Sequence, residues 1–107
     1  MKGVEDMLPN KVRVAGIDYQ VKEVEGLVSD HNLGGQVTFA NGVIKIDADL
    51  CKDKKEQFLV HEMLHAIFVE SGYDEHEEDM VNRLGITFYQ VLKDNKLYFG
   101  NADIAER

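Results

Sequence analysis

From Val12 to Val24 apolar and polar residues alternate, with Val12, Val14, Ile17, Tyr19, Val21 and Val24 on the apolar beat. A period of two marks a strand with one buried face, and the break at Gly16-Ile17-Asp18 predicts two short strands or one bent ribbon. Glu25 to Gly35 holds Gly26, Asp30, Asn32 and the Gly34-Gly35 pair, and reads as loop. Val37-Thr38-Phe39-Ala40, Asn41-Gly42 and Val43-Ile44-Lys45-Ile46 follow. Asn-Gly between β-branched runs predicts a hairpin, because both residues tolerate positive φ. The β region so defined covers residues 11–50. Residues 1–10, which contain the only proline, Pro9, read as a flexible arm.

Past residue 50 the period changes. Asp53 with Glu56 three positions on predicts a capping pair, opening a helix over 53–71 that Ser71-Gly72 closes. Around its wheel Phe58, Leu59, Val60, Met63, Leu64, Ala66, Ile67, Phe68 and Val69 occupy nearly every direction, so this helix is expected to be central and buried. A second helix is predicted over 75–94, with Val81, Leu84, Phe88, Val91 and Leu92 at helical spacing. Gly85 inside it weakens the helix and suits close packing against the first. The tail, 95–107, offers Leu97, Tyr98 and Phe99 for docking on the body. Strands followed by helices define an α+β fold: a small antiparallel sheet of two hairpins packed on a central helix and a second long helix, one domain over 1–107.

Composition narrows the partners. The 107 residues carry 20 acidic and 12 basic side chains, a net charge of −8. Phosphate backbones and anionic lipid repel such a surface, so direct binding to nucleic acid or membrane is not expected. A lone cysteine, Cys51, forms no internal disulfide and reads as a small packed residue. With no apolar run of signal-peptide or membrane-spanning length, it places the chain in the cytoplasm as an expectation. Oligomeric state is not legible.

The chemistry lies in His61-Glu62-Met63-Leu64-His65, an H-E-x-x-H sequence inside the first helix. Four residues make just over one turn, so both imidazoles project from one face and can share a metal. Glu62 can reach a water on that metal without being a ligand; zinc lowers the pKa of such a water towards 7, and the carboxylate can take its proton. A metal would also satisfy two histidines and a glutamate that are costly to bury in so apolar a helix.

Zinc needs at least one more protein ligand, with a position left open for water or substrate. Asp74-Glu75-His76-Glu77-Glu78-Asp79 supplies the candidates. His76 would complete a three-histidine site, Glu77 stacks above Val81, Leu84 and Phe88, and Glu78 lies beside Val81, Gly85 and Leu92. Helical phase favours Glu77, with Glu78 at the edge of that face, but phase alone does not settle it. The position six residues past the motif, where some zinc proteases carry a third histidine, is Ser71. His31, Tyr73, His76 and Tyr89 are side chains that could donate to a developing oxyanion.

Ile44-x-Ile46-Asp47, then His61-Glu62-x-x-His65-Ala66-Ile67, then Glu78-x-x-Val81-Asn82-x-Leu84 resemble the small metallopeptidases of the ImmA/IrrE type, many of them encoded by phages and prophages. The resemblance spans about residues 33 to 95. It departs from the usual pattern at Val81, where alanine is common, and at Leu84, where an aromatic is common. It implies one zinc per chain on His61, His65 and Glu78, with Glu62 as general base in hydrolysis of a peptide bond in a specific protein. Glu77 stays the rival to Glu78. Two other functions fit the same residues: a metal-binding interaction domain without turnover, and a SprT-like protease with His76 as third ligand. The intact Glu62 speaks against the first, and the −8 charge against the DNA-associated second.

Overall fold

In a computed structural model the described residues are 8–31, 33–97, 99 and 100, with backbone alone at 30 and 31. Strand β1 (Lys11–Val14) turns through Ala15-Gly16 into β2 (Ile17–Val24). Both turn residues have positive φ, 52° and 83°, the twist that joins two antiparallel strands by two residues. Val14 and Tyr19 fall on the buried face, whereas Lys11, Arg13, Asp18 and Lys22 face outward, as the alternation requires. Residues 8–10 already engage the body: Leu8 packs on the core and the Asn10 carbonyl accepts from Val21. The rest of the expected arm, 1–7, lies outside the described residues.

The stretch predicted as loop contains a helix, α1 (Leu27–His31). Its missing signal is distant in sequence: the Asp47 carboxylate accepts from the Val28 N–H at 2.6 Å and from the Asp49 N–H at 2.7 Å. These two backbone donors hold the Asp47 carboxyl below its usual range.

Strands β3 (Gly35–Thr38) and β4 (Val43–Asp47) pair antiparallel with Thr38 opposite Val43, so the second hairpin turns through the four residues Phe39 to Gly42. Gly42 has φ +64°, while Asn41 does not enter the left-handed region, so the turn is not the two-residue Asn-Gly type. The sheet order is β1-β2-β4-β3. Because β4 lies beside β2 in parallel, with Gln20 opposite Val43, the sheet is mixed rather than purely antiparallel. The α1 segment carries the chain past the slot next to β2, and the returning β4 fills it. Each hairpin was legible locally, but their mutual direction depends on this crossover.

Helix α2 (Lys52–Glu70) crosses the sheet. Leu59 and Ala66 join Val14, Tyr19, Ile44 and Ile46 in the core, with Phe58 and Met63 packed against it. Each large apolar side chain removed from water there contributes roughly 1.5–3 kcal/mol. The predicted Asp53-Glu56 capping pair does not form; Cys51 is the N-cap, makes no side-chain cap bond, and is exposed rather than packed. The C-terminus closes as a Schellman motif, with Tyr73 N–H on the Phe68 carbonyl at 2.8 Å, Gly72 N–H on Val69 at 3.0 Å and φ +101° at Gly72. The helix is covered by the sheet and by a second helix but open on its third side, where Ile67 is exposed.

That second helix, α3 (Glu78–Asp94), begins three residues later than predicted, after a connecting turn. It runs antiparallel to α2 and buries Val81 and Gly85. The predicted stripe runs off this contact, since Leu84 and Leu92 are exposed. A Cβ at Gly85 would meet Leu64 at 3.7 Å and the His61 Cα at 3.8 Å, ordinary contact distances, so the glycine marks proximity without being required. Phe99 is exposed rather than docked, and Tyr98 lies outside the described residues. Among the described residues no helix is long and apolar enough to cross a membrane.

Candidate metal centre

One turn of α2 separates His61 from His65, which puts their rings 4.9 Å apart. Glu78, the first residue of α3, reaches both. Its Oε2 is 2.8 Å from His61 Nε2 and its Oε1 is 3.0 Å from His65 Nε2, while the two Nε2 atoms are 3.2 Å apart. These three side chains can hold a metal ion. A tetrahedral ion bound at roughly 2.0–2.1 Å keeps its donors about 3.3 Å apart, so small outward shifts of the three donors would admit it. Two nitrogens and one carboxylate also leave a position for water, the donor set of a reactive rather than a closed site.

Helical phase favoured Glu77, but the start of α3 brings Glu78 to the histidines instead. Glu77 is the N-cap, exposed and with extended backbone (φ −80°, ψ 134°). Glu78 shares its face with Val81, Asn82 and Gly85, the face turned to α2. His76 does not join the triad. It meets His65 at Nδ1, 2.8 Å away, the ring nitrogen opposite the one that faces His61 and Glu78. Burial is the main influence on His65 and holds its pKa below the usual imidazole range, against the opposing pull of Glu78. The neutral ring is the form that binds a metal.

Glu62 points away from solvent and is 6 % exposed. Desolvation, and then repulsion by Glu78, pushes its carboxyl up to about 7. The space it occupies is made by Gly35, where a Cβ would lie 3.1 Å from Glu62 Cγ and 3.3 Å from Oε2. Gly34 does the same for Phe58, whose ring would lie 2.4 Å from an added Cβ. The Gly34-Gly35 pair, read from sequence as loop, is therefore a wall of the site, and the pairing of two glycines just before a strand was its only sequence signal.

These groups line a cleft of about 550 Å³ that runs along β3, from Gly35 to Val37, past Phe39 and Phe58 to the triad and Asn82. Strand β3 is an edge of the sheet. The uncharged side-chain donors on the cleft wall are Gln36 and Asn82. Of the side chains considered as oxyanion donors, Tyr89 is engaged elsewhere with Glu56 at 2.7 Å, Tyr73 is exposed, and the His31 side chain lies outside the described residues. The fold and the site thus define an α+β protein with a possible metal-binding triad. No protein-family model, curated protein or solved structure matches the chain.

Proposed function

We propose that this chain is a minimal zinc metallopeptidase of the ImmA/IrrE type, with His61, His65 and Glu78 as ligands and Glu62 as general base. One observation carries the proposal: two imidazoles and a carboxylate converge beside a buried glutamate, in a cleft that runs along an edge strand of the sheet. Bound zinc would supply the positive charge that acidifies a water and polarises a scissile carbonyl. The chain's own residues do the rest. An extended peptide adds to β3 through main-chain hydrogen bonds, with Phe39, Phe58 and Val37 offering apolar contact to its side chains. Glu62 takes the proton of the attacking water and returns it to the departing nitrogen, and a carboxyl poised near neutrality suits both transfers. Gln36 and Asn82 stand where they can donate to the substrate. The substrate is a protein or peptide, and the charge of the chain favours no nucleic-acid partner.

The test is cleavage of a quenched-fluorescent peptide library by the zinc-loaded protein and by Glu62→Gln. The variant is expected to hold zinc with unchanged stoichiometry and to lose at least about a hundredfold in turnover, the scale of general-base loss. Equal turnover in the two proteins would contradict the role given to Glu62.

A further inference from the structure

We infer that His76 is a positioning residue that fixes the tautomer and orientation of His65 as a metal ligand, through a relay that starts at the backbone carbonyl of Tyr73. The inference rests on the metal-centre reading above and concerns its second layer. His76 Nδ1 lies 3.0 Å from the Tyr73 carbonyl oxygen. A carbonyl only accepts, so His76 Nδ1 carries the proton. In a ring that carries only that proton Nε2 is bare, and it lies 2.8 Å from His65 Nδ1. That contact is a hydrogen bond only if His65 Nδ1 is the donor. The lone pair of His65 is thereby left on Nε2, the atom 3.0 Å from Glu78 and 3.2 Å from His61.

Each link in the relay is held by something else. The Tyr73 carbonyl is set by the Schellman closure of α2, through the Tyr73 N–H on Phe68 and the left-handed Gly72. The His76 ring lies on Phe68, centroids 4.9 Å apart and planes 18° apart, so it cannot swing freely off His65. The turn between α2 and α3 therefore performs two tasks, delivering Glu78 to the triad and buttressing His65 from behind. An imidazole ligand whose second nitrogen is held by a fixed acceptor keeps one tautomer and one ring plane, and loss of such a partner weakens metal affinity by roughly ten- to a hundredfold.

The experiment is zinc affinity by competition with a chromophoric chelator, for the parent chain and for His76→Ala, His76→Phe and His76→Gln, with circular dichroism to compare their folds. Phenylalanine keeps a ring on Phe68 but has no acceptor; glutamine loses the ring but offers an amide oxygen to His65 Nδ1. Alanine and phenylalanine are expected to weaken zinc binding by roughly ten- to a hundredfold, and glutamine to recover most of it. In the zinc-loaded parent labelled with nitrogen-15, a coupling across the hydrogen bond should link His65 Nδ1 to His76 Nε2, with the proton on His65. Phenylalanine binding as tightly as the parent, glutamine binding as weakly as alanine, or a proton found on His76 Nε2 would each overturn the relay while leaving the metal centre standing. A parent chain that takes up no zinc would overturn the metal centre itself, and the relay with it.

Discussion

Helices α2 and α3 are joined by polar clusters at both ends of their contact, and the two clusters are opposite in electrostatic character. At the far end Lys93 lies 2.9 Å from Asp53 and 3.1 Å from Glu56, and Tyr89 donates to the same Glu56. The chain supplies its own cation there, and hydrogen bonding to Asp53 first, with Tyr89 and Glu56 adding to it, holds the Lys93 ammonium above its usual range. At the cleft end Glu62 and Glu78 repel each other beside two histidines, and among the described residues no lysine or arginine lines the cleft. In the first cluster one ammonium bridges two carboxylates. In the second, two carboxylates face each other where Glu62 is almost fully buried. A bound cation would relieve that repulsion, which supports the metal centre proposed above.

The two ends should differ most in their response to substitution at Glu78. Glu78→Ala is expected to reduce zinc affinity on the order of a hundredfold or more, since it removes one of three ligands, whereas Glu77→Ala should stay within about threefold of the parent. The reverse order in a chelator competition would move the ligand by one residue.

A second effect needs no metal. The Glu62 carboxyl has an ordinary pKa of 4.5 and a folded value of about 7, so charging it costs stability. That cost is absent below the ordinary value, grows as pH rises between the two, and is fully present above the folded one. Metal-free Glu62→Gln should therefore match its parent in acid and exceed it by one to about 3 kcal/mol at pH 8, in urea melts at both pH values. A difference independent of pH would contradict the burial cost assigned to Glu62.

Lys93→Ala should have the smallest effect. Asp53 is exposed and Glu56 partly buried, with Tyr89 still donating to it, so the variant is expected to lose little stability and to keep zinc affinity within about twofold of the parent. Chelator competition would show whether the two ends are energetically separate, and a tenfold loss would mean that they are not.

How much of this was legible follows from where each signal sits in the chain. The strands, both hairpins and the long helices were written in local periodicity, and His61, Glu62 and His65 in five consecutive residues. The direction of β4 against β2 was not, because it depends on a crossover, and α1 was missed because its cap is Asp47, nineteen positions from Val28. The capping pair at Asp53 and Glu56 failed for a related reason: both carboxylates are held by Lys93 from the end of α3. At the site, phase favoured Glu77 on the assumption that the helix already includes it, whereas α3 starts at Glu78 and leaves Glu77 as an extended N-cap. His76 stood among the possible ligands on residue type alone; its place behind His65 depends on a turn conformation that only the three-dimensional structure shows.

The metal centre proposed here is one divalent ion on His61, His65 and Glu78. Elemental mass spectrometry on untagged protein, purified without chelator and then offered zinc, tests it most directly. About one zinc per chain, lost in a His61→Ala, His65→Ala double variant that still folds, is the expected result. A parent chain that neither retains nor takes up a divalent metal would contradict the claim, leaving two packed histidines on a buried helix.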